Sequence, residues 1–277
     1  MGVRAYLSGN PVHDRVIRAF AEGCGAELRT FDQYEPSDVA VVFGIRKSRV
    51  PISWPRGEIF RRQRENNLDV VVLETGYINR GDGETHHYAA GFNGLNGRAD
   101  FKAKGMPSDR AHKLRRHHGL RILRPRERGE HIVLCAQVPW DAAVDHLDYM
   151  KWLGDAADVL RATSRRVVFR PHPHARLNPI PGFDYSTEPL SVDLQNAHCV
   201  VACNSNACVE GLIEGIPAVA TDKGSMVWDV AGHYLEDFES PKIPTEDELE
   251  GWINDLSYKQ WTLAEMKSGE TWAHLSR

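Results

Sequence analysis

"CNSNACVEGLIEGIPAVAT", residues 203–221, is the stretch from which the fold is read. It continues an apolar, β-branched run, "HCVVAC" (198–203), that ends at Cys203 in three short polar residues. A helix over Ala207–Glu214 is expected next, then Gly215 and Pro217, then a further strand, "AVAT" (218–221). Strand, polar turn, helix, glycine stop and strand make up a parallel βαβ unit. Asn204, Ser205 and Asn206 are helix-capping residue types, and the unpaired N–H groups and dipole of a helix start also suit a phosphate. Glu210, with Gly215 at +5 and Pro217 at +7, gives the spacing E-x4-G-x-P-x-V, and Glu214 is expected to face solvent.

The same alternation extends in both directions. Upstream, "HIVLCAQV" (131–138) and "RVVFR" (166–170) read as strands flanking a helix from about Asp145 to Thr163. The first half has "RAYLS" (4–8), "AELRTF" (26–31), "DVAVVFG" (38–44) and "DVVVLE" (69–74) as strands. Helices are expected from His13 to about Cys24 and around Arg56–Asn66, the first capped by Asn10 with Pro11 at its first position. Apolar strands alternating with helices predict parallel, helix-covered sheets. Residues 75–128 are rich in glycine, polar and basic residues and read as a long basic loop region with short helices at most. The tail carries two capping boxes, Thr245 with Glu248 and Thr262 with Glu265, and is read as two helices. The expected architecture is two Rossmann-like parallel α/β domains, 1–130 and 131–277, facing a cleft, the C-terminal helices belonging to the second. A ligand binds such folds at the carboxyl ends of the strands.

Composition narrows the function classes. At 277 residues, with 42% hydrophobic and 26% charged residues, the chain reads as soluble and globular. No apolar run approaches the roughly 20 residues that span a bilayer, so no stable membrane insertion is expected. The start reads directly as a strand, and five cysteines, an odd number, point to reduced thiols in a cytoplasm. The net charge of −4 is unevenly distributed: residues 1–130 hold 23 basic against 16 acidic residues, the remainder 11 against 22. The basic excess lies mostly in residues 98–128, where Arg98, Lys102, Lys104, Arg115 and Arg116 suggest a polyanion-facing surface; a solvated connector has the same composition.

Two metal readings fail on spacing. His172 and His174 in "RPHPHARLNP" (170–179) form an H-x-H pair, but only 105 residues follow His172 and no H-E-x-x-H helix is present. His198, Cys199, Cys203 and Cys208 lack the paired spacing of structural zinc sites, and the cysteines read as small core hydrophobes. No metal and no cofactor is expected. Phosphate-loop, nucleophile-elbow and dinucleotide glycine motifs are also missing from the sequence.

Three short motifs carry a resemblance. "ETGYINR" (74–80), followed by "GFNGLNGRADF" (91–101), is the first; "RPHP" (170–173) is the second; "NSNA" (204–207) is the third. In this order they resemble the capsule polysaccharide glycosyltransferases that use CMP-activated Kdo and, more distantly, bacterial sialyltransferases of the GT-B superfamily. The resemblance covers roughly residues 74–221. It implies that Glu74 is the catalytic base and that His172 contacts the donor phosphate, with Arg170 as further positive charge. It implies phosphate or base contacts from Ser205 with Asn204 or Asn206, and a ribose contact from Glu210. Thr75 stands where the family has a second acid, and Asn204-Ser205 where it has Ser-Ser or Ser-Thr. Asp82, Glu84, His86, His87 and Asp100 are further candidate bases in the same region, and His13 and Asp14 further substrate contacts.

The function expected is therefore a metal-independent glycosyltransferase. It would move a sugar from a nucleotide-sugar donor, held by 131–277, to a hydroxyl on a polyanionic acceptor held by 1–130. The acceptor is an acidic bacterial glycan or, as in phage DNA modification, DNA carrying hydroxymethylated pyrimidines. A nucleotide-sugar epimerase or hydrolase on the same scaffold, and a non-catalytic nucleotide- or polyanion-binding module, are the alternatives.

Overall fold

A computed structural model describes residues 2–45, 55–127 and 129–277. It divides into two compact units, one formed by residues 1–113 with 254–277 and the other by 114–253.

In the first unit, β1 (Val3–Leu7), β2 (Glu27–Thr30), β3 (Val39–Phe43) and β4 (Asp69–Thr75) pair in parallel in the order β2-β1-β3-β4. Helix α1 (Pro11–Cys24) starts as read: Asn10 Oδ1 accepts from the N–H groups of Val12 and His13, and Pro11 occupies the first turn. Helix α2 (Pro55–Glu65) follows β3, and Val42, Val70, Val72, Tyr6 and Ile59 form one buried cluster of this unit. Two strands complete the sheet where a loop was expected and where a helix tail was expected. β5 (His87–Phe92) pairs antiparallel with β4, and β11 (Gln260–Thr262) pairs antiparallel with β5. β5 has a weak strand signature because Ala89, Ala90 and Gly91 carry little β-propensity. Its burial against both neighbours outweighs that deficit. Helix α3 (Asp109–His118) also lies inside the expected loop region.

In the second unit, β6 (His131–Cys135), β7 (Arg166–Arg170), β8 (Asp184–Tyr185), β9 (Ala197–Ala202) and β10 (Ala218–Ala220) are all parallel, in the order β10-β9-β6-β7-β8. Helices α4 (Tyr149–Leu160), α5 (Leu190–Asp193) and α6 (Ala207–Ile213) are its crossovers. Ile132, Leu134, Leu153, Leu160, Phe169 and Val201 sit in its buried core. Burial pushes the thiols of Cys135 and Cys199 up to about 12, as expected of cysteines that act as core hydrophobes. The Rossmann-like parallel α/β fold class read from the sequence is the one observed.

The tail corrects the expected domain assignment. Both capping boxes form, with the N–H of Glu248 on Thr245 Oγ1 and that of Glu265 on Thr262 Oγ1. The elements are α7 (Glu246–Ser257), β11, α8 (Leu263–Lys267) and α9 (Glu270–Leu275), and from Asn254 onward they belong to the first unit, not the second. Arg110 is the reason. The residue is 6% exposed, and its guanidinium donates to Glu265 at 2.8 and 3.1 Å and to the carbonyls of Ser257 and Gln260. It also lies 3.8 Å from the Trp261 ring centroid. Nothing in the spacing of Arg110 and Glu265, 155 residues apart, announces this pairing. Among the described residues no helix is long and apolar enough to cross a membrane.

Arg110→Ala removes the two-pronged partner of the largely buried Glu265 carboxylate, leaving it Lys113 at 3.8 Å and the Thr262 groups, and is expected to cost about 3 kcal/mol of stability, measured by urea unfolding. Burial works to raise the Glu265 carboxyl, but hydrogen bonds and charge from Arg110, with the Thr262 groups, outweigh it and hold the group below its ordinary value. A carboxyl lowered by folding stabilises fully above its unfolded pKa, and that contribution is lost as pH falls through the folded value. Acid unfolding of Arg110→Ala therefore lacks this component, and an unchanged acid midpoint contradicts the assignment.

Candidate functional site

The chain enters the second sheet at β6, builds outward through β7 and β8, then returns to the other side of β6 for β9 and β10. The loops after β6 and β9 consequently part at their carboxyl ends, the position where open α/β sheets bind ligands. A buried polar network occupies that point. Asn204 donates its N–H to Gln137 Oε1 at 3.0 Å, and Gln137 Nε2 returns a bond to Asn204 Oδ1 at 2.6 Å. Both Nδ2 hydrogens of Asn204 are used, on the Ala143 carbonyl and on Asp222 Oδ1, each at 2.9 Å. Gln137 N donates to the Tyr149 hydroxyl at 2.6 Å. Asp222, in the loop after β10, also accepts the Gly224 N–H at 2.7 Å and meets His146 Nε2 at 2.7 Å. Gln137, Asn204 and Asp222 are each at most 9% exposed.

The donor-side residues read from the sequence gather around these strand ends with differing freedom. Asn204 is committed to holding loops together. Ser205 Oγ accepts the Ala207 N–H at 3.2 Å, which leaves the hydroxyl hydrogen to give. Asn206 donates to Glu210 at 3.1 Å, one turn along α6. The backbone N–H groups of Cys208, Val209 and Glu210 bond to the carbonyls of Ser205 and Asn206, so α6 turns its first amides inward. Gly215 ends α6 at φ +71°, and a Cβ there would stand 2.6 Å from the Arg124 carbonyl oxygen. That close approach explains the glycine of the E-x4-G-x-P spacing.

After β7, Arg170 is drawn away from the loop. It pairs with Asp193 at 2.7 Å, both side chains largely buried, and also donates to the Glu188 carbonyl. Its charge is locally neutralised. His172 Nδ1 accepts the His174 N–H at 3.1 Å, which leaves the ring hydrogen on Nε2 and makes that nitrogen a donor. His174 thus serves His172 through its backbone. Trp140, in the loop after β6, is 58% exposed.

In the first unit, Glu74 stands at the carboxyl end of β4 and accepts the Thr75 N–H at 3.0 Å. The Arg56 guanidinium and the Glu74 carboxylate approach the same backbone position, 3.3 and 3.4 Å from where a Cβ on Gly44 would stand. His13 stacks on Phe43 with ring centroids 4.1 Å apart. Burial first, and the Arg56 charge second, hold its imidazole below the ordinary value and therefore neutral near pH 7. The loop after Glu74 is fixed by the tail: Gln260 Oε1 accepts from Tyr77 N at 2.7 Å and Ile78 N at 2.9 Å. Gly76 is required there because a Cβ would meet the His87 carbonyl oxygen at 2.5 Å.

Of the other candidate bases, His87 is buried on β5, whereas His86 accepts the Gly83 N–H at 2.8 Å. Asp100 pairs with Lys102 at 2.6 Å, and the Asp82 carbonyl accepts from Arg15 at 2.7 Å. The five basic residues read as one acceptor surface divide between units. Arg98, Lys102 and Lys104 lie in the first, Arg115 and Arg116 in the second, and Arg115 pairs with Glu250 at 2.5 Å. Sequence reading missed Gln137, His146 and Asp222. Only Gln137 had a signal, a carboxamide directly after a strand; His146 and Asp222 are joined across 76 residues.

No family model matches the chain, and no curated protein matches it. Solved structures do, two of KpsC among them. Thermosulfurimonas dismutans KpsC, its beta Kdo 2,7 transferase, matches over 100% of both chains with a TM-score of 0.57 and 14% identity. The beta Kdo 2,4 transferase of the same KpsC matches over 79% of each chain with a TM-score of 0.52 and 16% identity. At this identity the likeness establishes a GT-B-like fold.

Asn204→Ala strips partners from Gln137 and Asp222, both buried. At about 1–3 kcal/mol for each group left unsatisfied, urea unfolding is expected to register a loss of about 3 kcal/mol. A change within 0.5 kcal/mol contradicts the role of Asn204 as the hub of these loops.

Proposed function

We propose that the protein is a glycosyltransferase that moves a sugar from a nucleotide-sugar donor to a hydroxyl on an acidic glycan. The observation that carries this reading is the strand-end arrangement of the second unit, where a satisfied polar network braces the divergent loops at the switch point. Beside it stand a serine with a hydroxyl hydrogen to give and, after β7, a histidine whose Nε2 carries a hydrogen. This is a rigid, mostly neutral lining with donors for a nucleotide phosphate. The likeness to two Kdo transferases supports the same reaction class.

In this reading His172 Nε2 and Ser205 Oγ hold the donor phosphate, and Glu210, steadied by Asn206, takes the ribose hydroxyls. Glu74 accepts the proton of the acceptor hydroxyl as it attacks the anomeric carbon, while the glycosyl–phosphate bond breaks and its electron pair leaves on the phosphate. No metal or cofactor is assigned a role. Arg98 and Lys104, exposed side chains of the first unit, supply positive charge for an anionic acceptor.

Thermal melts with CMP, UMP, UDP and GDP test donor binding, because a ligand at about 100 times its Kd stabilises by about 2.7 kcal/mol. One nucleotide is expected to raise Tm, and His172→Ala to abolish the rise; a rise that survives unchanged makes His172 structural. Glu74→Gln is expected to keep the nucleotide shift and to lose about 100-fold or more in transfer rate. Equal transfer by Glu74→Gln assigns the base elsewhere. Labelled donor offered with acidic glycan or with hydroxymethylated duplex DNA at low salt separates the acceptors, and label on DNA alone overturns the glycan assignment.

A further inference from the structure

Resting on that reading, we propose that His146 is a further donor-binding residue, its imidazole contacting the nucleotide phosphate and Asp222 acting as its positioning residue. The strand order β10-β9-β6 puts the end of β9 between the loops that carry these two side chains. The His146–Asp222 bond therefore spans the loop that carries Asn204 and Ser205. Asp222 is 9% exposed and is shared: one oxygen takes Asn204 Nδ2 and Gly224 N, the other takes His146 Nε2. The carboxylate is fixed by the network that braces the switch point, and it fixes in turn the ring it holds. His146 differs from the rest of that network in exposure, its side chain remaining 35% accessible. A buried carboxylate that orients an accessible imidazole is the arrangement of a second-layer residue behind a ligand contact.

The charge distribution of the second unit argues the same way. Arg170 is neutralised by Asp193, α6 turns its first amides inward, and Asn206 and Glu210 engage one another. A nucleotide phosphate arriving at the β9 loop is left to side chains for positive charge. Lys223, exposed and adjacent to Asp222, adds to it. His146 is a ring that Asp222, itself bonded to Asn204, holds beside that loop. Its imidazole would meet the phosphate oxygen that receives the electron pair when the glycosyl bond breaks, where the developing charge needs stabilising.

The test compares CMP with cytidine by calorimetry, or the corresponding pair for whichever of the four nucleotides stabilises the wild-type protein. His146→Gln is expected to weaken nucleotide binding about tenfold and leave nucleoside binding unchanged, because only the nucleotide carries a phosphate. His146→Arg, which places a hydrogen-bond donor at this position, is expected to recover most of the nucleotide affinity. Asp222→Asn is expected to weaken nucleotide binding in the same selective way. Equal losses for nucleotide and nucleoside in His146→Gln, or no loss for either, overturn the assignment while leaving the donor-binding reading intact. Wild-type protein that binds none of the four nucleotides sinks that reading, and this assignment falls with it.

Discussion

The carboxamide of Asn204 is the point on which the second unit turns. Buried at the end of β9, it takes one hydrogen bond on its oxygen, gives two from its nitrogen and gives a third from its backbone, and these reach the loops after β6 and β10. A buried amide with its partners in place is neutral in cost, whereas the same amide with partners removed carries a desolvation penalty. The network therefore exists in one arrangement or not at all. Parallel strands bring their loop ends together without prescribing how those loops meet. The carboxamides of Asn204 and Gln137 supply that prescription, and Asp222 extends it to the ring of His146.

A comparable constraint operates in the first unit by a different route. The loop after Glu74 is fastened by Gln260, a side chain from the far end of the chain that is fully buried. Gln260 can reach it because β11 pairs with β5, and β11 is held there by the Arg110–Glu265 pair beneath Trp261. The position of a candidate base is thus linked to a carboxylate 191 residues further along the chain. An ion pair of this kind adds little to stability compared with an apolar packing of the same volume. It does specify which sheet the tail joins.

Local signals are legible where physical chemistry acts locally. The cap at Asn10 and Pro11, the two threonine–glutamate boxes, the strands that begin at His131 and Arg166, and the α6 turn bounded by Gly215 all follow from residues a few positions apart. A segment decided by distant neighbours carries no such signal. "HYAAGF" (87–92) is a poor strand by itself and becomes one because β4 and β11 flank it. The candidate site divides in the same manner. Ser205, Glu210, His172 and Glu74 could be named from short motifs. The neutralisation of Arg170 by Asp193 and the full commitment of Asn204 could not, because their partners lie 23, 67 and 18 residues away.

By itself, the sequence determined that the chain alternates strands and helices into parallel sheets, and which short turns close those strands, because periodicity, caps and glycine stops act over a few residues. The tertiary structure alone decided the ownership of the tail, the antiparallel edge of the first sheet, and which polar side chains are spent on holding loops rather than left to meet a ligand. Those outcomes depend on buried hydrogen bonds and ion pairs between residues far apart in the chain. Their energy appears only once both partners have left water, and no local pattern encodes it.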